Sequence, residues 1–221
     1  GVIRQGQVVV RQGDALSGEL PPKQSIDLFV SETLGAGLLD EKGPQIFSRF
    51  APCIKEKEGS TIPHRTMLST AFIPLNQVIS READGTFTAK YPFVLNSNGV
   101  ALPVIPNEEW TPLEGGKEFP LTDIPKRLEG VIDFPPGSTA ADLNGHYGLA
   151  VCAEFILDRD KREVASRYDT FITSPMLLGP GVFMVPDELK NANPSALGIR
   201  FSFVPGGNSQ KESKAEIVRK E

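Results

Sequence analysis

The stretch that decides the fold class is YGLAVCAEFILDRDKREVASRYDTFIT, residues 147–173. Apolar side chains recur at every second position from Leu149 to Leu157, and residues 158–162 form a charged interruption before alternation resumes at Val164. A period of two is typical of a β-strand that buries one face. The stretch therefore predicts two long strands joined by a charged turn, at the centre of an antiparallel sheet.

The rest of the chain also reads mainly as strands. A strand is predicted over residues 25–33, with Ile26, Leu28 and Val30 on one face and Asp27 and Ser31 on the other. A second hairpin is predicted between residues 64–80 and 86–95, with Asp84-Gly85 as its turn. Further strands are expected at residues 128–134 and 199–203, and one short helix at residues 187–192.

Residues 102–136 differ from the rest of the chain because they contain seven prolines. Fixed φ angles and missing amide donors favour a long ordered loop that lies across a sheet, interrupted by one strand. A loop of this length in a compact domain is usually functional or forms an interaction surface. The single tryptophan, Trp110, lies within it.

These elements predict an all-β fold, namely an antiparallel β-sandwich of jelly-roll type with long proline-rich loops and one or two short helices. A barrel is the nearest alternative. Residues 1–205 are expected to form one sandwich domain, in which residues 1–12 are an edge strand or an extended arm. Residues 206–221 are polar and only weakly periodic, so they are expected to form a flexible tail.

Composition excludes several classes of protein. The chain has 221 residues, 39% of them hydrophobic, and a formal net charge of -5, which argues against both disorder and a basic nucleic-acid surface. Direct nucleic-acid binding by the folded domain is therefore not expected. No apolar run approaches the roughly 20 residues that span a bilayer, so a soluble protein without a membrane span is predicted. The initial Gly1 would suit a processed precursor, a tag remnant or removal of methionine.

No motif for catalysis, metal or cofactor is found. Cys53 and Cys152 are far apart and neither belongs to a C-x-x-C pair, and neither His64 nor His146 has a nucleophile in a known local arrangement. The paired aspartates Asp158 and Asp160 are interleaved with basic residues, which disfavours calcium. Two glycine motifs begin at positions 35 and 115, but neither matches a nucleotide-binding pattern. The expected catalytic, metal and cofactor residues are therefore none.

One segment carries a candidate ligand or interface site. Trp110 follows Glu108 and Glu109, and an aromatic face beside carboxylates suits a carbohydrate. The simpler interpretation is that Trp110 pins the proline-rich loop onto the sheet. These three residues are the only candidate site that the sequence offers.

Three functions are compatible with this pattern. The favoured one is a non-enzymatic structural or assembly protein, such as a capsid, cement or matrix-like subunit of a virion, whose partners are copies of itself or other subunits. The alternative is a β-sandwich module that binds carbohydrate or protein. A carboxylate-dependent hydrolase is the third, because paired carboxylates from distant strands leave no local motif.

Overall fold

The computed structural model describes residues 12–56, 59–74, 79–81, 87–89, 93–95, 101–103, 110–134, 137–157, 170–172, 176–178 and 183–220. Its strands are β1 (Leu28–Val30), β2 (Ser60–Ile62), β3 (Arg65–Pro74), β4 (Ile79–Arg81), β5 (Phe87–Ala89), β6 (Phe93–Leu95), β7 (Ala101–Pro103), β8 (Thr111–Pro112), β9 (Phe119–Pro120), β10 (Leu128–Asp133), β11 (His146–Ile156), β12 (Thr170–Ile172), β13 (Met176–Leu177), β14 (Phe183–Met184), β15 (Leu197–Phe203) and β16 (Ser213–Arg219). The helix α1 spans Gly43–Phe50. Strands predominate and helices are few, which confirms a β-rich fold.

Strand β11 is the centre of the largest sheet. It pairs antiparallel with β3 over ten residues, from Tyr147 opposite Pro74 to Ile156 opposite Arg65. Its other edge pairs with β12, β13 and β14 in turn, while β8 and β9 pair with β3. The antiparallel pairing of β11 with β12 confirms the predicted central hairpin at its described ends. The charged turn at residues 158–162 lies outside the described residues.

Both faces of β11 are buried. Leu149, Val151 and Phe155 are fully buried on one face, and Ala150 is 1% exposed on the other. The small side chains on the second face lie opposite equally small ones on β3, such as Ala71. A strand covered on both faces marks the middle of the molecule.

The second sheet is formed by β10, β15 and β16, in that order and all antiparallel. Its inward face carries four buried side chains of β15: Leu197, Ile199, Phe201 and Phe203. This confirms the strands predicted at residues 128–134 and 199–203.

The prediction of a flexible tail after residue 205 is wrong for residues 213–219. These residues form β16, which pairs with β15 along its whole length. Ala215 and Ile217 are 7% and 3% exposed, whereas Lys214 and Glu216, which alternate with them, face solvent. Two buried apolar positions suffice for a strand here, because β15 offers backbone partners along its whole length and its buried face extends onto β16.

One hydrophobic cluster receives side chains from both sheets. The ring of Phe134, which follows β10, lies 5.1 Å from the ring of Phe72 on β3 and 5.6 Å from that of Tyr147 on β11. These centroid distances fall in the range that favours aromatic packing. The core therefore lies between the two sheets.

The second predicted hairpin is only partly correct. Strands β4 and β5 pair antiparallel, with Arg81 opposite Phe87, as predicted. Residues 93–95 instead pair with β7, and β3 pairs with β11. The pairing of β3 is decided by burial, because Leu68 and Thr70 are almost fully covered beside β11. The turn at Asp84-Gly85 lies outside the described residues.

Helix α1 was not predicted, and tertiary contacts explain its presence. Pro44 lies in its first turn, where a missing amide donor costs nothing. Gln45 Nε2 donates to Pro205 O at 2.9 Å, so the helix is tied to the loop between β15 and β16. In the same loop, Ser209 donates from its amide and its hydroxyl to the carboxylate of Asp40, at 2.7 and 2.6 Å.

Candidate functional site

The feature of the fold most suited to binding is the small sheet formed by β1 and β2. The two strands are parallel, with Leu28 opposite Ser60 and Val30 opposite Ile62. About 30 residues separate the two strands in the sequence, and the crossover connection that they form contains α1. Helix α1 covers only one face of the pair.

The covered face of β1 is the one that carries Phe29. The ring of Phe29 lies 5.1 Å from that of Phe47 and 5.0 Å from that of Phe50, both on α1. The sequence predicted a strand here and correctly placed Leu28 and Val30 together. It did not predict that Phe29, on the other face of the strand, packs on the helix. Because Phe29 faces the helix, Leu28 and Val30 face outward.

The outer face of the pair is an exposed apolar patch. Leu28 is 52% exposed, Val30 61% and Ile62 37%. Since Val30 and Ile62 are in register on neighbouring parallel strands, their side chains lie side by side on one face. We call these three residues the β1–β2 patch. Clustered exposed apolar side chains of this kind mark interaction sites more often than single ones do.

The outer edge of β1 is open only in part, because just before the strand Ile26 N donates to Cys53 O at 2.9 Å and Lys55 N donates to Ile26 O at 3.0 Å. Ser60 N donates to Asp27 O at 2.9 Å and Ser31 N donates to Ile62 O at 3.1 Å, so the odd-numbered residues of β1 face β2. Backbone groups alternate in direction along a strand, so the amides and carbonyls of Leu28 and Val30 point away from β2. Within the described part of the chain, β1 pairs with no strand other than β2.

This edge lacks the usual devices that prevent strand addition. Edge strands are commonly protected by lysine, proline or a bulge. Between Leu28 and Val30 there is none of these, whereas just before the strand residues 53–55 pair with Ile26 and Lys55 pairs with Asp27 at 2.6 Å. The short stretch of edge at Leu28 and Val30 lies beside an apolar patch. An extended segment could add to it by forming backbone hydrogen bonds with the strand and burying its side chains on the patch.

Of the three candidate residues from the sequence, the structure describes only Trp110. Its side chain is half-buried and packs on a small cluster of Ala71, Ile73 and Ala150, on the second face of the large sheet. The Trp110 ring therefore contacts β3 and β11, as expected for a residue that pins the loop. Glu108 and Glu109 lie outside the described residues.

Replacement of Trp110 by alanine tests its role. We expect W110A to lower the free energy of unfolding by about 2 kcal/mol, because full burial of a tryptophan is worth about 3–5 kcal/mol and this one is half-buried. W110F, which retains a ring, should lose less. Denaturant unfolding measures both variants. A sugar platform would instead lose glycan binding with unchanged stability.

The histidines and Cys152 lie at separate points along β11. His146 begins the strand, and His64 N donates to Ile156 O at its other end. Ten residues of extended chain place the two histidines about 30 Å apart. Burial, and to a smaller extent the negative charge of Glu154, raise the pKa of the Cys152 thiol to about 11. A thiol with so high a pKa is a poor nucleophile at neutral pH.

Within the residues that the structure describes, no group of three or more His, Cys, Asp or Glu side chains is arranged to hold a metal ion. The aspartates Asp158 and Asp160 lie outside these residues. The glycine at position 37 has a packing explanation, because a Cβ there would lie only 2.7 Å from Val151 Cγ1 of β11. In the described segments no helix has the length and apolar character that crossing a membrane requires.

Comparisons with known proteins provide no family for this chain. No protein-family model matches it, and no curated protein matches it either. Among solved structures, the crystal structure of PRMT6 covers 88% of this chain and 67% of its own, with 14% identity and a TM-score of 0.40. The Trypanosoma brucei PRMT1 enzyme-prozyme heterotetrameric complex with AdoHcy covers 94% and 72%, with 11% identity and a TM-score of 0.37. Likenesses this weak assign neither fold nor activity.

Proposed function

We propose that this protein is a non-enzymatic structural subunit that works through protein–protein contacts in an assembly, with copies of itself or other subunits as partners. The observation that carries the proposal is the β1–β2 patch beside the open edge of β1. Leu28 and Val30 are both more than half exposed, and burying such side chains contributes about 25 cal/mol for each Å² removed from water. A partner strand would gain this energy and the edge hydrogen bonds together.

A virion subunit of the capsid, cement or matrix-like class is the assembly that we propose. Support comes from the β-rich fold, from the core between two antiparallel sheets and from the proline-rich loop of residues 102–136. We further propose that these sheets form one jelly-roll-like sandwich domain, which now includes β16. The net charge of -5 suits an outer or accessory subunit that does not contact packaged nucleic acid directly.

The mass of the native protein in solution tests this function. We expect light scattering to give a closed oligomer whose population rises with protein concentration, because patch burial and edge pairing both require a second chain. Negative-stain microscopy of the same sample would show whether larger symmetric particles form. A strict monomer at every concentration, both for the purified protein and in the native extract, would contradict the proposal.

A further inference from the structure

We infer that residues 14–22 form a strap, latched by Arg49, that opens and closes over Cys53 while the rest of the fold stays intact. The strap precedes β1 and lies against the last turn of α1 and the short 3-10 helix Ala51–Cys53 that follows it. Cys53 is 2% exposed, and its Sγ donates to Pro21 O of the strap at 3.2 Å. In the closed form the strap therefore covers this thiol.

Little buried surface holds the strap to the body of the protein. Leu20 and Pro21 are half-buried, and every other residue of the strap is exposed. No strap residue belongs to the hydrophobic core. Segments with few buried apolar contacts and solvent-exposed hydrogen bonds open locally, at a far lower cost than unfolding of the whole domain. The burial pattern therefore favours opening of the strap by itself.

The strap ends beside a hinge at Gln24, which is tied to the body of the protein independently. Gln24 N donates to Pro52 O at 3.2 Å, and its Oε1 accepts from Glu56 N at 2.7 Å. Beyond this hinge, Ile26 forms a parallel bridge with Ile54, and β1 follows. Opening of residues 14–22 therefore breaks no strand pairing.

Arg49, in the last turn of α1, holds the first half of the strap. Its Nη1 donates to Ala15 O at 2.7 Å, and its Nη2 donates to Gly18 O. Hydrogen bonds from a charged donor are stronger than those between neutral groups. Because one side chain makes both contacts, its loss would release two points of the strap at once.

Asp14 shapes the turn that Arg49 holds. The Asp14 carboxylate accepts from Leu16 N at 2.8 Å and from Ser17 Oγ at 2.9 Å. Its carbonyl accepts from Gly18 N, also at 2.8 Å. Side-chain bonds of this kind fix the course of the backbone in a turn. The latch therefore has two parts, the guanidinium on α1 and the carboxylate in the strap.

Alkylation of the native protein by iodoacetamide tests whether the strap opens by itself. Peptide mapping by mass spectrometry follows Cys53 separately from Cys152. The Cys53 rate is expected to change little with low concentrations of urea, because local opening exposes little surface. A Cys53 rate that rises with urea as steeply as global unfolding, measured by circular dichroism, would overturn the inference.

Two substitutions test the latch. Arg49→Ala is expected to raise the Cys53 rate by about tenfold, since it removes two hydrogen bonds from a charged donor. Asp14→Ala is expected to raise it by a smaller factor, because the turn loses its side-chain acceptor. The matched control is Ser48→Ala, an exposed neighbour of Arg49 on α1, which should leave the rate unchanged.

Ile217→Ala separates strap opening from a loss of overall stability. This substitution removes packing from β16 and leaves both parts of the latch in place, so the Cys53 rate should not change. Increases in both latch variants, together with no change in Ile217→Ala, support the strap. An unchanged rate in both latch variants, or an increase in Ile217→Ala that matches its loss of stability, overturns it. Should Arg49→Ala fail to fold, Asp14→Ala decides, because Asp14 is exposed.

Discussion

Removal of residues 206–221 is expected to abolish cooperative folding, because it takes away β16. This strand pairs with β15 over seven residues and covers the buried row of Ile199, Phe201 and Phe203. Truncation also removes Ser209, which donates two hydrogen bonds to Asp40. Each large buried side chain that loses its packing costs about 2–5 kcal/mol, and a whole domain is stable by only about 5–15 kcal/mol.

Point substitutions within β16 provide the control for this truncation. Ile217→Ala is expected to cost about 2–5 kcal/mol because Ile217 is 3% exposed. Glu216→Ala, one position away on the solvent face, should change stability by less than about 0.5 kcal/mol, since its pair with Arg200 is more than half exposed on both sides. A truncated protein that melts cooperatively near the full-length temperature would show that β16 is dispensable.

Gly37→Ala is expected to destabilise the protein by about 3 kcal/mol or more. Gly37 has a φ of 58°, which already disfavours any other residue by about 1–2 kcal/mol. A Cβ at this position would lie 2.7 Å from Val151 Cγ1 and 2.8 Å from Val151 O. Val151 is fully buried in the middle of β11, so neither the side chain nor the strand can move away cheaply.

Gly115→Ala is the matched control, because Gly115 has a similar φ of 69° but nothing within 4 Å of the added Cβ. It should cost only the backbone term of about 1–2 kcal/mol. Denaturant unfolding of both variants isolates the contribution of the contact with β11. Equal losses of stability in the two variants would mean that the close approach of Gly37 to Val151 does not contribute to the cost of the substitution.

The open edge of β1 connects the fold to the proposed function. Natural sheets rarely leave an uncharged edge exposed, because such an edge recruits other strands. In this protein the edge and the apolar patch lie on the same strand, next to a helix that supports Phe29 from behind. Phe29 therefore packs in the core, whereas Leu28 and Val30 would form the interface in the proposed assembly.

The sequence by itself determined the β-rich class, the central hairpin within residues 147–173 and the strands at residues 128–134 and 199–203. Each of these carries a clear alternation, and local periodicity is enough to identify a strand whose faces differ in polarity. The role of Trp110 as a loop residue that contacts the sheet was also within reach of the sequence, because the prolines around it favour an ordered loop.

Only the tertiary structure decided which face of β1 is buried. Both faces carry apolar side chains, Phe29 on one and Leu28 and Val30 on the other, so the local pattern does not show which face packs on the core. It also decided that residues 213–219, with only two buried apolar side chains, form a strand, because they pair with β15. The candidate site joins Leu28 and Val30 to Ile62 through a parallel register between distant segments. Long-range pairing of this kind depends on burial across the whole fold, and that information is not contained in any local stretch of sequence.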